Sequence, residues 1–187
     1  TKISSGELIR PPGSVIESEF VNRCIRCGNC MKTCPTGGLQ PAITEAGIEG
    51  FWTPVLVPRI GCCQQQCNSC GEVCPTRAIE PFKIEEKDHL YLGTSNVDKN
   101  RCIAWALNQR CVVCSEYCSY SAIEPDMNGD IVRPVVNPLK CVGCGQCENA
   151  CPVQPVAAIR VYSVGDKRYL SREEQLKIRR TADANGS

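Results

Sequence analysis

The stretch Cys24-Ile25-Arg26-Cys27-Gly28-Asn29-Cys30-Met31-Lys32-Thr33-Cys34-Pro35 decides how this chain is read. Three thiols at three-residue intervals wrap a loop around one face of a compact group. The fourth cysteine is expected to begin a helix pointing away, toward a neighbouring group, with the proline helping to end the loop. Small residues such as Gly28 let backbone N–H groups come close. Cys141-Val142-Gly143-Cys144-Gly145-Gln146-Cys147-Glu148-Asn149-Ala150-Cys151-Pro152 repeats the pattern without exception, with Gly143 and Gly145 in the same role. Two less regular groups lie between. The first cysteines of the four, Cys24, Cys63, Cys102 and Cys141, follow one another at 39 residues, so the chain is a fourfold pseudo-repeat. The fourth cysteines, Cys34, Cys74, Cys118 and Cys151, are separated by 40, 44 and 33 residues, which makes the repeat a shared motif with variable internal loops.

Composition says why the cysteines matter. Of 187 residues 17 are cysteine, while aromatic content is only 5%. That density belongs to a scaffold held by staples rather than by a large apolar core. Three staples are possible, and spacing decides among them. Zinc wants two C-x2-C pairs per ion and has no use for a third cysteine at the same interval. Cysteines three apart on a tight loop are poorly placed to pair as disulfides, and an odd total leaves one thiol over. C-x2-C-x2-C-x3-C-P is instead the run by which bacterial ferredoxins hold 4Fe-4S clusters, the fourth cysteine serving the other cluster. Sixteen cysteines in four groups then predict four 4Fe-4S clusters, each on cysteines from two groups.

The second group reads Cys62-Cys63-Gln64-Gln65-Gln66-Cys67-Asn68-Ser69-Cys70-Gly71-Glu72-Val73-Cys74-Pro75. Its C-x3-C-x2-C core has the spacing of radical S-adenosylmethionine enzymes, but those need a large barrel domain that this chain lacks, and Cys74-Pro75 continues the ferredoxin pattern. Cys62 and Cys63 compete for one iron. Cys63 keeps the 39-residue period and is the favoured ligand, leaving Cys62 a packed or free thiol. In the third group eight residues separate Cys102 from Cys111, ahead of Cys114 and Cys118, so a longer loop carrying Trp105 is expected to cap its cluster. Ser119 stands where proline is expected.

Apolar pairs suited to starting strands follow each group, at Ala78-Ile79, Ala122-Ile123 and Ala158-Ile159-Arg160-Val161, with Gly38-Leu39 as the weaker equivalent. Loops are expected at Pro11-Pro12-Gly13, Thr53 to Pro58 and Asn128-Gly129. Ser171 to Arg180 carries a capping box and basic residues at its end, the pattern of a short C-terminal helix, either a solvated tail or a docking element. His89 beside Glu85-Glu86-Lys87-Asp88 reads as a solvated loop residue. No dinucleotide-binding glycine motif follows a strand, so no flavin or nicotinamide site is expected.

Formal charge is +1, which points to no polyanion partner. Each oxidised cluster on four thiolates adds roughly two negative charges, taking a four-cluster holoprotein to roughly −7. The Lys and Arg residues compensate that charge. No apolar run reaches the 18 residues or so that span a bilayer, no signal peptide is visible, and the chain begins at Thr1.

Four thiolates per cluster leave no iron open to substrate, so the reading is an electron-transfer subunit without a substrate site of its own. The rival reading, structural or regulatory clusters as in some nucleic-acid enzymes, lacks a basic stripe with interleaved aromatics.

Arg10-Pro11-Pro12-Gly13, Pro58-Arg59-Ile60-Gly61, Cys74-Pro75-Thr76 and above all Asp98-Lys99-Asn100-Arg101-Cys102-Ile103-Ala104-Trp105 with its eight-residue gap resemble the ferredoxin-type proteins of the MauM/NapG kind. The resemblance covers about residues 8 to 165. It implies an extracytoplasmic, membrane-associated electron-transfer subunit beside a quinol-linked membrane partner and other subunits of an oxidoreductase complex. In relatives the place of Cys62 is commonly not cysteine, which again favours Cys63.

The resemblance also implies a pairing of outer with outer and inner with inner motifs: Cys24, Cys27, Cys30 with Cys151; Cys141, Cys144, Cys147 with Cys34; Cys63, Cys67, Cys70 with Cys118; and Cys102, Cys111, Cys114 with Cys74. Sequential pairing, group one with two and three with four, is the alternative. The expected fold is α+β, tandem bacterial-ferredoxin-like modules of short strands and helices with much irregular loop. Residues 1–22 would form an N-terminal extension, 23–50 with 136–165 an outer module, 51–135 an inner module and 166–187 the C-terminal helix and tail.

Overall fold

The computed structural model describes residues 8–127 and 129–163, so the expected C-terminal helix at Ser171 to Arg180 lies outside the described residues. Seventeen cysteines and few large apolar side chains leave little to drive long elements, and none is long. The helices are α1 (Glu17–Arg23), α2 (Asn29–Thr33), α3 (Ser69–Glu72), α4 (Ile103–Ala106), α5 (Val113–Glu116) and α6 (Gln146–Ala150), with a 3-10 turn at Ile84–His89. The strands are β1 (Leu39–Pro41), β2 (Pro54–Leu56), β3 (Thr94–Val97), β4 (Ile123–Asp126), β5 (Arg133–Val136) and β6 (Ile159–Tyr162).

The repeat is visible as one local design. Each of α2, α3, α5 and α6 takes the third cysteine of its group, Cys30, Cys70, Cys114 or Cys147, as its second residue, and buries it. This corrects the expectation that the fourth cysteine begins a helix. α2 and α6 instead end at Cys34 and Cys151, whose backbones are extended. The proline that follows each explains it, because its ring disfavours helical backbone at the residue before. A tight turn comes next: the N–H groups of Gly37, Arg77 and Ser121 donate to the carbonyls of Cys34, Cys74 and Cys118, and all three residues sit at positive φ.

Strands follow that turn at β1, β4 and β6, as the apolar pairs lead one to expect. Ala78-Ile79 is the exception. Ile79 makes only an isolated bridge to Ser14, flanked by hydrogen bonds from Val15 N to Ala78 O and from Glu80 N to Gly13 O, and Pro81 then removes the next donor. Conversely, Thr53 to Pro58 is not all loop, because Val55 and Leu56 are buried and pair β2 with β1. β1–β2 and β4–β5 are local antiparallel pairs, whereas β3 pairs with β6 across the third and fourth groups.

Two cores result. One gathers Phe20, Cys30, Leu39, Leu56, Cys70 and Ile79, and the other Ala104, Cys114, Ile123, Cys147, Cys151 and Ile159. The first therefore joins groups one and two, the second groups three and four. The two cores thus follow chain order, where the expected division nested 51–135 inside 23–50 with 136–165. Leu92 N donating to Val142 O, and Val161 packing in the first core, tie the halves together. Gly143 sits at this seam with φ +76, and a β-carbon on it would lie 2.4 Å from the Gly93 nitrogen. Its bareness thus admits the backbone of Gly93, just before β3, a packing role beyond the loop role expected from sequence.

Candidate metal centres

Three of the four thiol sets each line a cavity. Cys24, Cys27, Cys30 and Cys74 surround one of about 380 Å3. Cys63, Cys67, Cys70 and Cys34, with Cys62, surround a second of about 380 Å3. Cys102, Cys111, Cys114 and Cys151 surround a third of about 340 Å3. The fourth set is read from electrostatics: the Cys144 thiol is pushed up to about 12 by burial, and the thiols of Cys141 and Cys118 are among the neighbours that raise it further. α5 packs on α6 there, as α2 packs on α3 in the other half.

In each of these three cavities the fourth cysteine comes from the adjacent group. The expected nested pairing put Cys24, Cys27, Cys30 with Cys151; Cys141, Cys144, Cys147 with Cys34; Cys63, Cys67, Cys70 with Cys118; and Cys102, Cys111, Cys114 with Cys74, whereas the cavities gather Cys74, Cys34 and Cys151 with the neighbouring group. Cys34 lines the second cavity, where the packing of α2 on α3 brings its chain to group two.

These residues fit an iron-sulfur cluster. None of the 17 cysteines is bonded to another, and the thiols stand around a space rather than a point. Among the described residues no three His, Cys, Asp or Glu converge on a single ion. Burial pushes the thiols of Cys30 and Cys114 up to about 12, and those of Cys70 and Cys147 upward as well, with neighbouring thiols adding to it. Metal binding must therefore displace protons from buried thiols. Cys34 goes the other way. Burial raises it, but the Thr36 hydroxyl and the N–H groups of Leu39, Thr36 and Gly38 favour the thiolate more strongly and bring it down.

Donors to sulfur recur across the sets. Ile79 N lies 3.4 Å from Cys74 Sγ, Ala122 N 3.3 Å from Cys118 Sγ and Ser95 N 3.4 Å from Cys141 Sγ, while Ser95 Oγ lies 3.3 Å from Cys147 Sγ. Such contacts stabilise negative charge on sulfur and tune the metal.

Both Cys62 and Cys63 line the second cavity, but they differ in company. Cys63 raises the Cys70 thiol and is itself beside Lys87, Cys67 and Cys34, whereas the Cys62 thiol is pushed up by burial and by Cys34. In the third group Ile103, on α4, lines the cavity and Trp105 does not. The Trp105 Nε1–H donates to Pro134 O at 3.2 Å and the ring carries Lys99 at 4.1 Å, so the long loop that carries Trp105 reaches the cavity through Ile103. The missing proline at Ser119 frees an N–H: Ser119 N and Oγ both donate to Gln146 Oε1, tying group three to the start of α6.

Sequence reasoning missed several residues around these sites. Lys87 is buried although its neighbours are charged, and nothing in the run Glu85 to Asp88 marks it. His89 ends the 3-10 turn half-buried, with Nδ1 lacking a partner, so it is not the solvated loop residue expected. Arg10 and Arg59 did carry a signal, since both lie in stretches singled out as family-like. The Arg59 guanidinium donates to the carbonyls of Glu148, Cys151 and Val153 at 2.8, 3.0 and 3.2 Å, pinning the end of α6.

Comparison with known proteins agrees with this chemistry. The 4Fe-4S binding domain matches residues 20–40 and 134–159, the two regular groups. The chain is similar to the ferredoxin-type protein NapG of Escherichia coli (strain K12), 33% identical over 167 residues that cover 84% of this chain and 71% of NapG. It is 34% identical to the methylamine utilization ferredoxin-type protein MauM of Paracoccus denitrificans (strain Pd 1222), covering 82% and 70%. The ferredoxin-type protein NapF of E. coli K12 is 30% identical, with 84% and 87% covered. With its cysteine spacing, its thiol-lined cavities and this similarity along most of its length, the chain belongs to the NapG and MauM family of ferredoxin-type iron-sulfur electron-transfer proteins.

Proposed function

We propose that the chain relays single electrons through four 4Fe-4S clusters held in a row. The ligands would be Cys24, Cys27, Cys30 and Cys74; then Cys63, Cys67, Cys70 and Cys34; then Cys141, Cys144, Cys147 and Cys118; then Cys102, Cys111, Cys114 and Cys151. The order rests on which thiols act on one another across sets. Cys30 raises Cys70, Cys63 raises Cys144, and Cys114 raises Cys147. The observation that carries it is the bond from Cys63 N to Cys144 O at 2.8 Å, which joins the second and third sets through one peptide contact at the seam between the cores.

When bound, each cluster supplies a one-electron couple whose potential the protein sets. The chain's own part is to hold the four corners, exclude water and place N–H donors on the sulfurs. Both end sets adjoin exposed segments, which this reading uses as contact points. Cys27 is exposed, and the wall of its cavity includes Ile25 and Trp52, 62% and 47% exposed. At the other end the exposed residues 106–110 lead into Cys111.

Within this proposal the chain is a relay subunit of a membrane-associated respiratory oxidoreductase complex, between a quinol-linked membrane partner and a redox enzyme, on the extracytoplasmic side. Its support is the family, whose similar members are ferredoxin-type proteins. No helix of the described residues is long and apolar enough to cross a membrane, so in this reading a partner or another segment provides the attachment. The test is reductive titration of the holoprotein followed by electron paramagnetic resonance. Reversible bleaching of the brown absorption, with signals broadened by interaction between reduced neighbours, is expected. Clusters that resist reduction, or reduced spins that do not interact, would count against a relay.

A further inference from the structure

Lys87 stands out among the cations. It is 2% exposed and projects from the 3-10 turn Ile84–His89 into the lining of the cavity shared by Cys34, Cys63, Cys67 and Cys70. Its ammonium donates to the carbonyl oxygens of Gln64 and Cys67, which are neutral groups within the ligand loop itself. Arg10, the other deeply buried cation, differs because Glu17 cancels its charge. Buried charge is screened little, so a fixed ammonium against the ligand loop acts at nearly full strength on whatever charge the cavity holds.

We propose that Lys87 is a positioning residue that sets the potential of the second site in the row, making it easier to reduce. This rests on the reading that the cavity holds a 4Fe-4S cluster. One electron from the reductant adds one negative charge to the site. The cation beside the ligand loop stabilises the reduced form more than the oxidised one. The Cys63 thiol feels the same cation, which pulls it down against the larger upward push of burial. The remaining sets have hydroxyl and backbone donors at their sulfurs, as at Ser95, but no buried ammonium in their lining among the described residues.

The experiment compares holoprotein with Lys87→Met, close in shape but neutral, and Lys87→Arg, which keeps the charge. Iron is counted first, then the four one-electron steps are resolved by potentiometric titration with electron paramagnetic resonance. The expected result is full iron in both variants and, in Lys87→Met alone, one step moved to lower potential by about tenfold in its equilibrium constant, 59 mV for one electron. Four unmoved steps in Lys87→Met would overturn the proposal. So would equal loss of about four iron atoms in both variants, which makes Lys87 a bolt for the ligand loop. Wild-type protein with little iron would instead defeat the cluster reading itself, and so separates the two failures.

Discussion

Changing Cys27 and Cys74 together to alanine is expected to empty one site and leave three intact, a loss of about four iron atoms per chain. Changing Cys27 and Cys151 together is expected to damage two sites. The structure places Cys74 with Cys24, Cys27 and Cys30, and Cys151 with Cys102, Cys111 and Cys114. Two ligands withdrawn from one cube leave two thiols, too few to hold it, whereas one ligand withdrawn from each of two cubes alters both spectra. Iron content and the count of reduced spin systems read the difference. Under nested pairing the outcomes exchange: the Cys27 and Cys151 double variant would lose one site cleanly. A single-site loss there, with two-site damage in the Cys27 and Cys74 variant, would therefore restore the outer-with-outer arrangement and dismantle the row.

Replacing Arg10 with Met is expected to destabilise the first core by roughly 3 kcal/mol, the range for breaking a buried ion pair by removing one partner. Arg10 is fully enclosed, pairs with Glu17, donates at 2.8 Å to both Thr53 Oγ1 and Pro54 O, and lies 4.6 Å above the centre of the Phe20 ring. It therefore joins α1 to the start of β2. Its loss leaves the carbonyl of Pro54 and the hydroxyl of Thr53 short of a donor and takes the guanidinium away from Glu17. Part of Glu17 reaches water, which keeps the cost toward the lower end. The urea midpoint of iron-loaded protein should fall, and iron should be lost first from the sites of groups one and two. An unchanged midpoint would mean that Arg10 is a passenger in the core.

How much of this was legible in the sequence depends on how local each feature is. The three-thiol grip is set by spacing alone, and the third cysteine of every group indeed sits at the same place on a short helix. The strand after the fourth cysteine was legible as an apolar pair, failing only at Ala78-Ile79, where Pro81 withholds a donor, while the positive-φ turn before it was not. The destination of the fourth cysteine was not legible. Three-residue intervals fix three corners of a cube but say nothing of which loop supplies the last corner, and that is decided by α2 meeting α3 and α5 meeting α6. Lys87 was hidden for a related reason. In the run Glu85 to Asp88 it looks like its exposed neighbours, and only the 3-10 turn, which points that one side chain inward, sets it apart. Arg10 and Arg59 were visible as family-like positions, but their task of bolting chain segments together needed coordinates.

The row of four cubes on crossed thiol sets is tested most directly by diffraction from the holoprotein on either side of the iron absorption edge. The expected map shows four iron peaks, one in each thiol set, with the peak of the Cys63 set lying between those of the Cys24 and Cys144 sets. Fewer than four peaks, a zinc signal in their place, or a peak bridging Cys34 and Cys141 would contradict it.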